Sequence, residues 1–247
     1  MAGTLWLLPV ALGDTPWQAC LPAATRDAAC RLTRFVAENA KTARAELKRI
    51  GHPLPLRELT IEQLPEAPTT TDIEHLLAPL ITGHDLGLMS EAGCPAVADP
   101  GALLVRRAHE LGLTVRPLVG PSSLLLGLMA SGLDGQRFAF HGYLPAREPE
   151  RSRRIAELEG ESARLMQTQI FIETPYRNQA LFNALLLACK PKTRLCLATD
   201  LSLPSEQIAT RRIADWKATA TPQLDKRPTV FLLLADWALP TTGSKRG

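Results

Sequence analysis

Apolar runs of strand length alternate with amphipathic helical segments along almost the whole chain, and this alternation limits the fold more than any other feature. One stretch shows it clearly: DLGLMS (85–90) precedes ALLVRRAHELG (102–112), whose apolar residues have helical spacing, and TVRPLV (114–119) follows. A strand, a helix and a strand in succession are typical of a βαβ unit with parallel strands. We therefore predict an α/β fold with largely parallel or mixed sheets.

The alternation continues on both sides of Val119-Gly120-Pro121, which we interpret as a hinge between two lobes. Before it, strands are predicted at 4–10, 34–39 and 56–64, and helices at 24–34, 40–51 and 70–83. After it, helices are predicted at 122–132, 148–164 and 178–189, strands at 138–145, 168–174, 193–201 and 228–236, and a strand with a short helix at 208–218. We predict an N-terminal α/β lobe at 1–119, a C-terminal α/β lobe at 120–240 and a disordered tail at 241–247.

Several classes of protein are disfavoured by what the sequence lacks. It contains no GxGxxG after the first strand, no GxxxxGK[ST], no GxSxG elbow and no HExxH. The five histidines show no ligand spacing and the five cysteines form no CxxC pair, so we expect no metal and a reducing, cytoplasmic compartment. No apolar run approaches the ~20 residues of a membrane span. The net charge of +3 neither indicates nor excludes nucleic-acid binding.

Four loops that follow predicted strands contain residues that shape the backbone or carry charge. They are LGD (12–14), AENAK (37–41), SEAGCPAVADPG (90–101) and VGPSS (119–123). Taken one at a time, each is typical of a turn or a helix cap. Ligands of open α/β sheets bind beyond the carboxyl ends of strands, so the four loops together favour a cleft for a small molecule.

These loops and the segments beside them resemble the tetrapyrrole-methylase superfamily. Within it, the sequence is most similar to the family of ribosomal RNA small subunit methyltransferase I, which methylates the 2′-oxygen of a cytidine ribose. The resemblance covers about residues 4–236 and is most specific between SEAGCPAVADPG and GYLP. The matching segments are LWLLPVALGD (5–14), AENAKTAR (37–44), SEAGCPAVADPG (90–101), VRPLVGPSSLLLGLMASGL (115–133), FAFHGYLP (138–145), FIETPYR (171–177), LATDLS (197–202) and RPTVFLLL (227–234).

The resemblance implies two α/β lobes of the class III methyltransferase type, with S-adenosylmethionine in the cleft between them and usually a homodimer. It also implies that the cofactor is held largely through backbone atoms, which requires small residues and shaped turns. The family's motifs place the cofactor-binding residues of this sequence at Leu12, Gly13, Ala92, Gly93, Cys94, Val97, Ser122, Ser123, Glu173, Ala198, Pro228 and Thr229.

The chain departs from the family's motifs at positions expected on the substrate side. Family members typically carry an acidic residue, Asp, Thr and Arg where this chain has Glu38-Asn39-Ala40-Lys41, and Asp and Thr where it has Glu91 and Cys94. The resemblance implies that Asn39, Lys41 and Arg44 bind the substrate, which we expect to be ribosomal RNA or the 30S subunit. Two basic groups are candidate phosphate contacts, the second of them interleaved with glutamates as in a solvated helix face: Lys41/Arg44/Lys48/Arg49 and Arg147/Arg151/Arg153/Arg154.

Methylation of a ribose hydroxyl benefits from a base, because the hydroxyl group is a poor nucleophile. We predict that Glu38 or Glu91 accepts the proton, with Lys41 lowering the pKa of the base or holding a phosphate. Asp99 is a further candidate. The structural alternatives are an ion pair between Glu38 and Lys41 and a helix cap at Asp99.

Three functions remain open from the sequence. The first is 2′-O-methylation of small-subunit ribosomal RNA with S-adenosylmethionine. The second is methylation of a tetrapyrrole precursor or another small molecule, which is disfavoured because tetrapyrrole enzymes usually show Gly-Gly-Asp-Pro where this chain has Ala-Gly-Cys-Pro. The third is a cofactor-binding protein without methylase activity, which the departures at Asn39, Ala40 and Cys94 leave open.

Overall fold

The computed structural model describes residues 2–235, which form two compact units that divide between Ser122 and Ser123. The boundary predicted from the sequence, after residue 119, lies three residues before this division. The predicted tail at 241–247 and the end of the predicted C-terminal lobe at 236–240 lie outside the described residues.

The first unit contains a five-stranded, wholly parallel sheet with the order β3-β2-β4-β1-β5. Its strands are β1 (Thr4–Leu8), β2 (Arg34–Ala37), β3 (Thr60–Gln63), β4 (Leu86–Met89) and β5 (Thr114–Pro117). Its helices are α1 (Ala23–Ala29), α2 (Ala40–Arg49), α3 (Thr70–Ile81) and α4 (Gly101–Glu110), with 3-10 turns at Trp17–Ala19 and Leu56–Glu58.

One predicted strand of this unit is shorter than expected. The sequence predicted an extended segment over 56–64, but only Thr60–Gln63 is a strand. The prediction was wrong for the first part because Pro55 begins a 3-10 turn, in which the Glu58 amide donates to the Pro55 carbonyl at 2.9 Å. Proline fixes the backbone angle that such a turn needs.

The helices of the first unit cover opposite faces of its sheet. α1 and α2 pack on the face that carries Leu8 and Phe35, whereas α3 and α4 pack on the face that carries Leu5 and Leu88. β1 and β4 are therefore neighbouring strands whose chains leave toward opposite faces. This arrangement is the switch point of an open α/β sheet, where ligands bind.

The second unit contains a mixed five-stranded sheet with the order β6-β7-β10-β8-β9, in which only β6 and β7 pair in parallel. Its strands are β6 (Phe138–Tyr143), β7 (Thr168–Ile172), β8 (Arg194–Thr199), β9 (Gln207–Arg212) and β10 (Thr229–Leu234). Its helices are α5 (Ser123–Ser131), α6 (Glu150–Leu165), α7 (Asn178–Ala188) and α8 (Ile213–Lys217). The prediction of an α/β fold with parallel and mixed sheets is confirmed.

Helices also cover both faces of the second sheet. α6, α7 and α8 pack around Phe171 and Phe231 on one face. On the other face α5 approaches the sheet at Gly127, where an added Cβ would lie 3.5 Å from the Cβ of Ala198. Among residues 2–235, no helix has the length and apolar character needed to cross a membrane.

Candidate active site

A cavity of about 520 Å³ lies at the carboxyl ends of β1 and β4, the switch point of the first sheet. Its wall consists of the loop after β1, the first residues of the loop after β4, and one side of α2. Pockets of about 300–1,000 Å³ hold small-molecule ligands. Four of the predicted cofactor-binding and catalytic residues line this cavity, namely Leu12, Gly13, Glu91 and Ala92, as do Lys48 and Arg49 of the first basic group.

The loop after β4 is tied to the loop after β1 through backbone hydrogen bonds. Val10 and Gly93 exchange two of them, at 2.9 and 3.2 Å. Gly93 has a φ of +75°, and a Cβ there would lie 3.3 Å from Cδ2 of Leu12. Ser90 Oγ supports the turn by donating to the carbonyl of Ala92 at 3.3 Å. The structure thus brings Leu12, Ala92 and Gly93 together as a backbone cradle.

Cys94 and Val97 continue the same loop in different surroundings. The thiol of Cys94 lies 3.4 Å from the carbonyl oxygen of Pro121, to which it donates. Burial raises the pKa of the Cys94 thiol, so the group is neutral near pH 7. Val97 has 49% of its surface exposed and does not line the cavity.

Three carboxyl groups meet beside this cradle. Glu38, directly after β2, is half-buried, and its carboxyl group lies near the backbone amide of Glu91. Burial raises the pKa of Glu38 to about 7, and hydrogen bonding to Asp99 and the negative charges of Asp99 and Glu91 act in the same direction. The sequence named all three residues, and the structure places them together at the ends of β2 and β4.

The structural alternative of an ion pair between Glu38 and Lys41 is wrong, because no ion pair within residues 2–235 joins these residues. Lys41 is also not among the main causes of the shift in the pKa of Glu38. The pKa of Glu38 is raised rather than lowered, because burial and like charges dominate. Asp99 behaves partly as a cap: its Oδ1 accepts from the amide of Gly101, the first residue of α4, while the N-cap position itself is Pro100.

Asn39 has a structural role that the sequence did not predict. Its side-chain oxygen accepts from the amides of Lys41 and Thr42, at 2.9 and 3.3 Å, and so caps α2. Lys41 and Arg44 are exposed on the same helix. A part in substrate binding for these three residues stays a prediction.

Arg49 differs from the exposed basic residues of α2 with which the sequence analysis grouped it. Its guanidinium pairs with Glu46 and also donates to the carbonyl of Thr15 at 2.7 Å. The carboxylate of Glu46 raises the pKa of Arg49. Arg49 therefore fixes the loop after β1 rather than reaching for phosphate, although both Arg49 and Lys48 line the cavity. The i, i+3 spacing of Glu46 and Arg49 was the sequence signal for this pair.

The predicted residues of the second unit gather at one edge of its sheet. β10 runs antiparallel to both β7 and β8, so the start of β10 lies beside the ends of those strands. Thr229 Oγ1 is 3.2 Å from the hydroxyl of Thr199, and Ala198 is buried beneath α5. Glu173 is buried and accepts from the amide of Thr174 and from Arg177, at 2.6 and 2.7 Å.

Arg227, which the sequence did not single out, fixes this edge. Its guanidinium donates to Asp200 Oδ2, to Gln207 Oε1 and to the carbonyl of Ser205, at 2.8, 2.9 and 2.8 Å. The carbonyl of Pro228 accepts from the amide of Asp200 at 2.9 Å. Arg227 thereby holds the segment that leads to Pro228 and Thr229.

Ser122 and Ser123 stand where the chain enters α5. Ser122 ends the first unit, Ser123 begins the helix, and both are half-buried. Amides of a first helical turn have no partner inside the helix, so this position suits a polar ligand group. In the part of the chain that the structure describes, no three His, Cys, Asp or Glu side chains are grouped so as to hold a metal ion.

No family model matches the chain, but curated proteins named ribosomal RNA small subunit methyltransferase I do. The one from Xylella fastidiosa (strain Temecula1) is 30% identical over 214 residues, which is 87% of this chain and 75% of the relative. The one from Pseudomonas aeruginosa is 35% identical over 64% of this chain and 55% of the relative. The one from Escherichia coli O157:H7 is 31% identical over 66% and 56%. The match thus spans three quarters of the first relative and little more than half of the other two.

A solved structure shares the fold at low sequence identity. The crystal structure of the methyltransferase CobJ matches with a TM-score of 0.63 over 95% of both chains, at 17% identity. This likeness confirms the tetrapyrrole-methylase-like fold that the sequence resemblance implied.

Proposed function

The chain belongs to the family of ribosomal RNA small subunit methyltransferase I and is a methyltransferase, and we propose that it methylates a ribose 2′-hydroxyl of small-subunit ribosomal RNA with S-adenosylmethionine. The observation that carries this proposal is the half-buried Glu38 carboxyl group, whose pKa is raised to about 7. This carboxyl group lies near the backbone amide of Glu91, a residue of the cavity wall. Proton transfer is most efficient for a group that titrates near the working pH.

The backbone cradle of the first unit fits a cofactor held through main-chain atoms. When bound, S-adenosylmethionine supplies an electrophilic methyl group on a sulfonium sulfur. Leu12, Gly13, Ala92 and Gly93 leave backbone atoms accessible, since none has a polar or long charged side chain. The remaining residues proposed to contact the cofactor are Cys94, Val97, Ser122, Ser123, Glu173, Ala198, Pro228 and Thr229.

Glu38 is the proposed base, and Glu91 is the proposed contact to the ribose. Glu38 is half-buried, so its ionised form is poorly hydrated and ready to accept a proton. Glu91 is exposed and lines the cavity, where it can bind a hydroxyl group of the substrate. Alignment of the hydroxyl oxygen with the methyl carbon and sulfur supplies much of the remaining acceleration.

The exposed basic side chains of α2 support an RNA substrate. Lys41, Arg44 and Lys48 recur every three or four residues and so share one side of the helix. Lys48 also lines the cavity. We propose that these side chains bind phosphates next to the methylated nucleotide, either in ribosomal RNA or in the 30S subunit. Binding will then weaken steeply with added salt.

The assembly and location complete the proposal. We propose a homodimer, supported by the exposed apolar side chains of α5, where Leu125 and Met129 have 52% and 80% of their surface exposed. Contiguous exposed apolar side chains favour association. We place the enzyme in the cytoplasm, with its substrate, and assign no part in the reaction to a metal or a membrane.

Two measurements test the proposal. Calorimetry with S-adenosylmethionine tests the cofactor, and absence of binding at high micromolar ligand would contradict it. Transfer of a labelled methyl group is then compared on 30S subunits, naked small-subunit ribosomal RNA and uroporphyrinogen. We expect label on the ribose of RNA in the first or second sample. Label only on uroporphyrinogen, or binding without any transfer, would replace this function with one of its two alternatives.

A further inference from the structure

Asp99 lies in a tightly constrained loop. Its Oδ1 accepts from the amides of Ala96 and Gly101, at 2.9 and 2.6 Å. Ala96 and Ala98 have φ values of +66° and +59°, a left-handed conformation that is unfavourable for alanine. A Cβ at Gly101 would lie 2.7 Å from Asp99 Oδ1. The loop tolerates strain in order to hold this carboxylate in one orientation.

The other oxygen of Asp99 points to a partner that carries a proton. Oδ2 is buried, and no nitrogen or hydroxyl group among residues 2–235 donates to it. The carboxyl group of Glu38 lies close enough to Asp99 for the two groups to share a proton. Two carboxyl groups form a hydrogen bond only when they hold a proton between them. Oδ2 is the oxygen free to accept that proton, because Oδ1 already binds two amides.

The raised pKa of Glu38 places the proton on that residue. Asp99 Oδ1 already accepts from two amides, so Oδ2 is the oxygen that remains for Glu38. Glu38 is half-buried and faces the negative charges of Asp99 and Glu91. In the described part of the chain, no ion pair joins Glu38 to a Lys, Arg or His.

We propose that Asp99 is the positioning residue of the base, holding the Glu38 carboxyl group by a shared proton and setting its affinity for protons. This inference rests on the proposed function. During transfer the ribose O–H bond breaks, and its oxygen forms the new bond to the methyl carbon while the S–CH₃ electron pair stays on sulfur. The proton passes to the Glu38 carboxylate, where Asp99 Oδ2 accepts its hydrogen bond until it is released to water.

The substitution Asp99→Asn tests the pair directly. Asparagine keeps an oxygen for the two amides but replaces Oδ2 by an NH₂ group, which donates to ionised Glu38. NMR of protein labelled with ¹³C at glutamate carboxyl carbons follows the titration, and the signal lost in Glu38→Gln identifies Glu38. We expect a midpoint near 7 in the parent protein and one lower by roughly one unit or more in Asp99→Asn. An unchanged midpoint would overturn the inference.

Glu91→Gln is the matched control, because it removes a nearby negative charge without removing the hydrogen bond. We expect the Glu38 titration midpoint to shift less in Glu91→Gln than in Asp99→Asn. An equal or larger shift would mean that charge alone sets the proton affinity of Glu38, which would contradict the proposal. The rise of the methyl-transfer rate with pH should occur at lower pH in Asp99→Asn than in the parent protein. A rise at the same pH in both proteins would overturn the positioning role.

The titration needs no substrate, so the pair and the proposed function are tested separately. A lowered midpoint in Asp99→Asn together with no RNA methylation by the parent protein would remove the function and keep the pair. If Asp99→Asn does not fold, Glu38→Gln and Glu38→Ala replace it. The side-chain amide of the introduced glutamine can donate to Asp99 Oδ2, whereas alanine cannot. We therefore expect a higher Tm for Glu38→Gln than for Glu38→Ala. Equal Tm values would overturn the pair.

Discussion

The two units treat the charged groups at their strand ends in opposite ways. In the second unit Glu173 is paired with Arg177, and Asp200 with Arg227. In the first unit Glu38 and Asp99 lie close together, and neither forms an ion pair with a basic residue within residues 2–235. Paired carboxylates keep their charge and contribute rigidity, whereas crowded ones hold protons near neutral pH. The difference supports the proposal that proton chemistry belongs to the first unit, whereas the ion pairs of the second unit fix the ends of its strands.

Removal of the Glu38 carboxyl group should give the largest effect. We expect Glu38→Gln to slow methyl transfer by about 100- to 10,000-fold, the usual contribution of general base catalysis, with unchanged affinity for S-adenosylmethionine. Single-turnover transfer to 30S subunits measures the rate, and calorimetry measures the affinity. Glu66→Gln, an exposed position after β3, should keep the parent rate. A Glu38→Gln rate within a few-fold of the parent would remove Glu38 from the mechanism.

Loss of a partner in the second unit should instead affect stability. Arg227→Met leaves the buried carboxylate of Asp200 without its partner, so we expect the free energy of unfolding to fall by about 2–3 kcal/mol. Urea denaturation measures it. Arg212→Met, at an exposed end of β9, should change it by less than about 0.5 kcal/mol. Equal losses of unfolding free energy in both variants would show that Arg227 does not fix this edge. A shift of the Glu38 titration midpoint in Arg227→Met would contradict the division of roles between the units.

A side chain on Gly93 should weaken cofactor binding. Its φ of +75° and the 3.3 Å approach to Leu12 mean that Gly93→Ala must distort the cradle, at a cost of about 1–2 kcal/mol. We therefore expect roughly a tenfold loss of affinity for S-adenosylmethionine by calorimetry. Gly112→Ala is a matched control, because Gly112 has a φ of +67° and nothing within 4 Å of its added Cβ. If both variants bind the cofactor like the parent, the cradle is not the binding site.

A further effect concerns the dependence of stability on pH. The pKa of Glu38 is raised from 4.5 to about 7 in the folded protein. Between these values the unfolded chain releases a proton that the folded protein retains, so stability falls as pH rises and levels off above 7. The decline should be absent in Glu38→Gln. Tm values from pH 5 to 8 for both proteins measure this, and parallel curves would contradict the raised pKa.

The parts of the site that rest on local turn chemistry were predictable from the sequence. Gly93 and the prolines of its loop predicted a backbone cradle, because left-handed turns and fixed φ angles depend on single residues. The alternation of apolar runs predicted the α/β fold in the same way, since strand and helix periods are local properties.

Contacts made by tertiary structure were not predictable in the same way. Lys41 follows Glu38 closely in sequence, yet Asp99, from a loop two strands later in the chain, is the residue that reaches the Glu38 carboxyl group. Arg49 carries the same charge as its neighbours on α2, but the buried carboxylate of Glu46 takes it out of the exposed surface. Charge is visible in a sequence, whereas burial and partners depend on how elements pack.

The pH dependence of methyl transfer tests the central claim, that Glu38 is the base, most directly. Single-turnover rates on 30S subunits, measured from pH 5.5 to 9 in the parent protein and in Glu38→Gln, separate the ionisation of this group from substrate binding. The parent rate should rise with pH through a midpoint near 7, the pKa of Glu38, and the residual rate of Glu38→Gln should lack this rise. The same rise with the same midpoint in both proteins would contradict the claim.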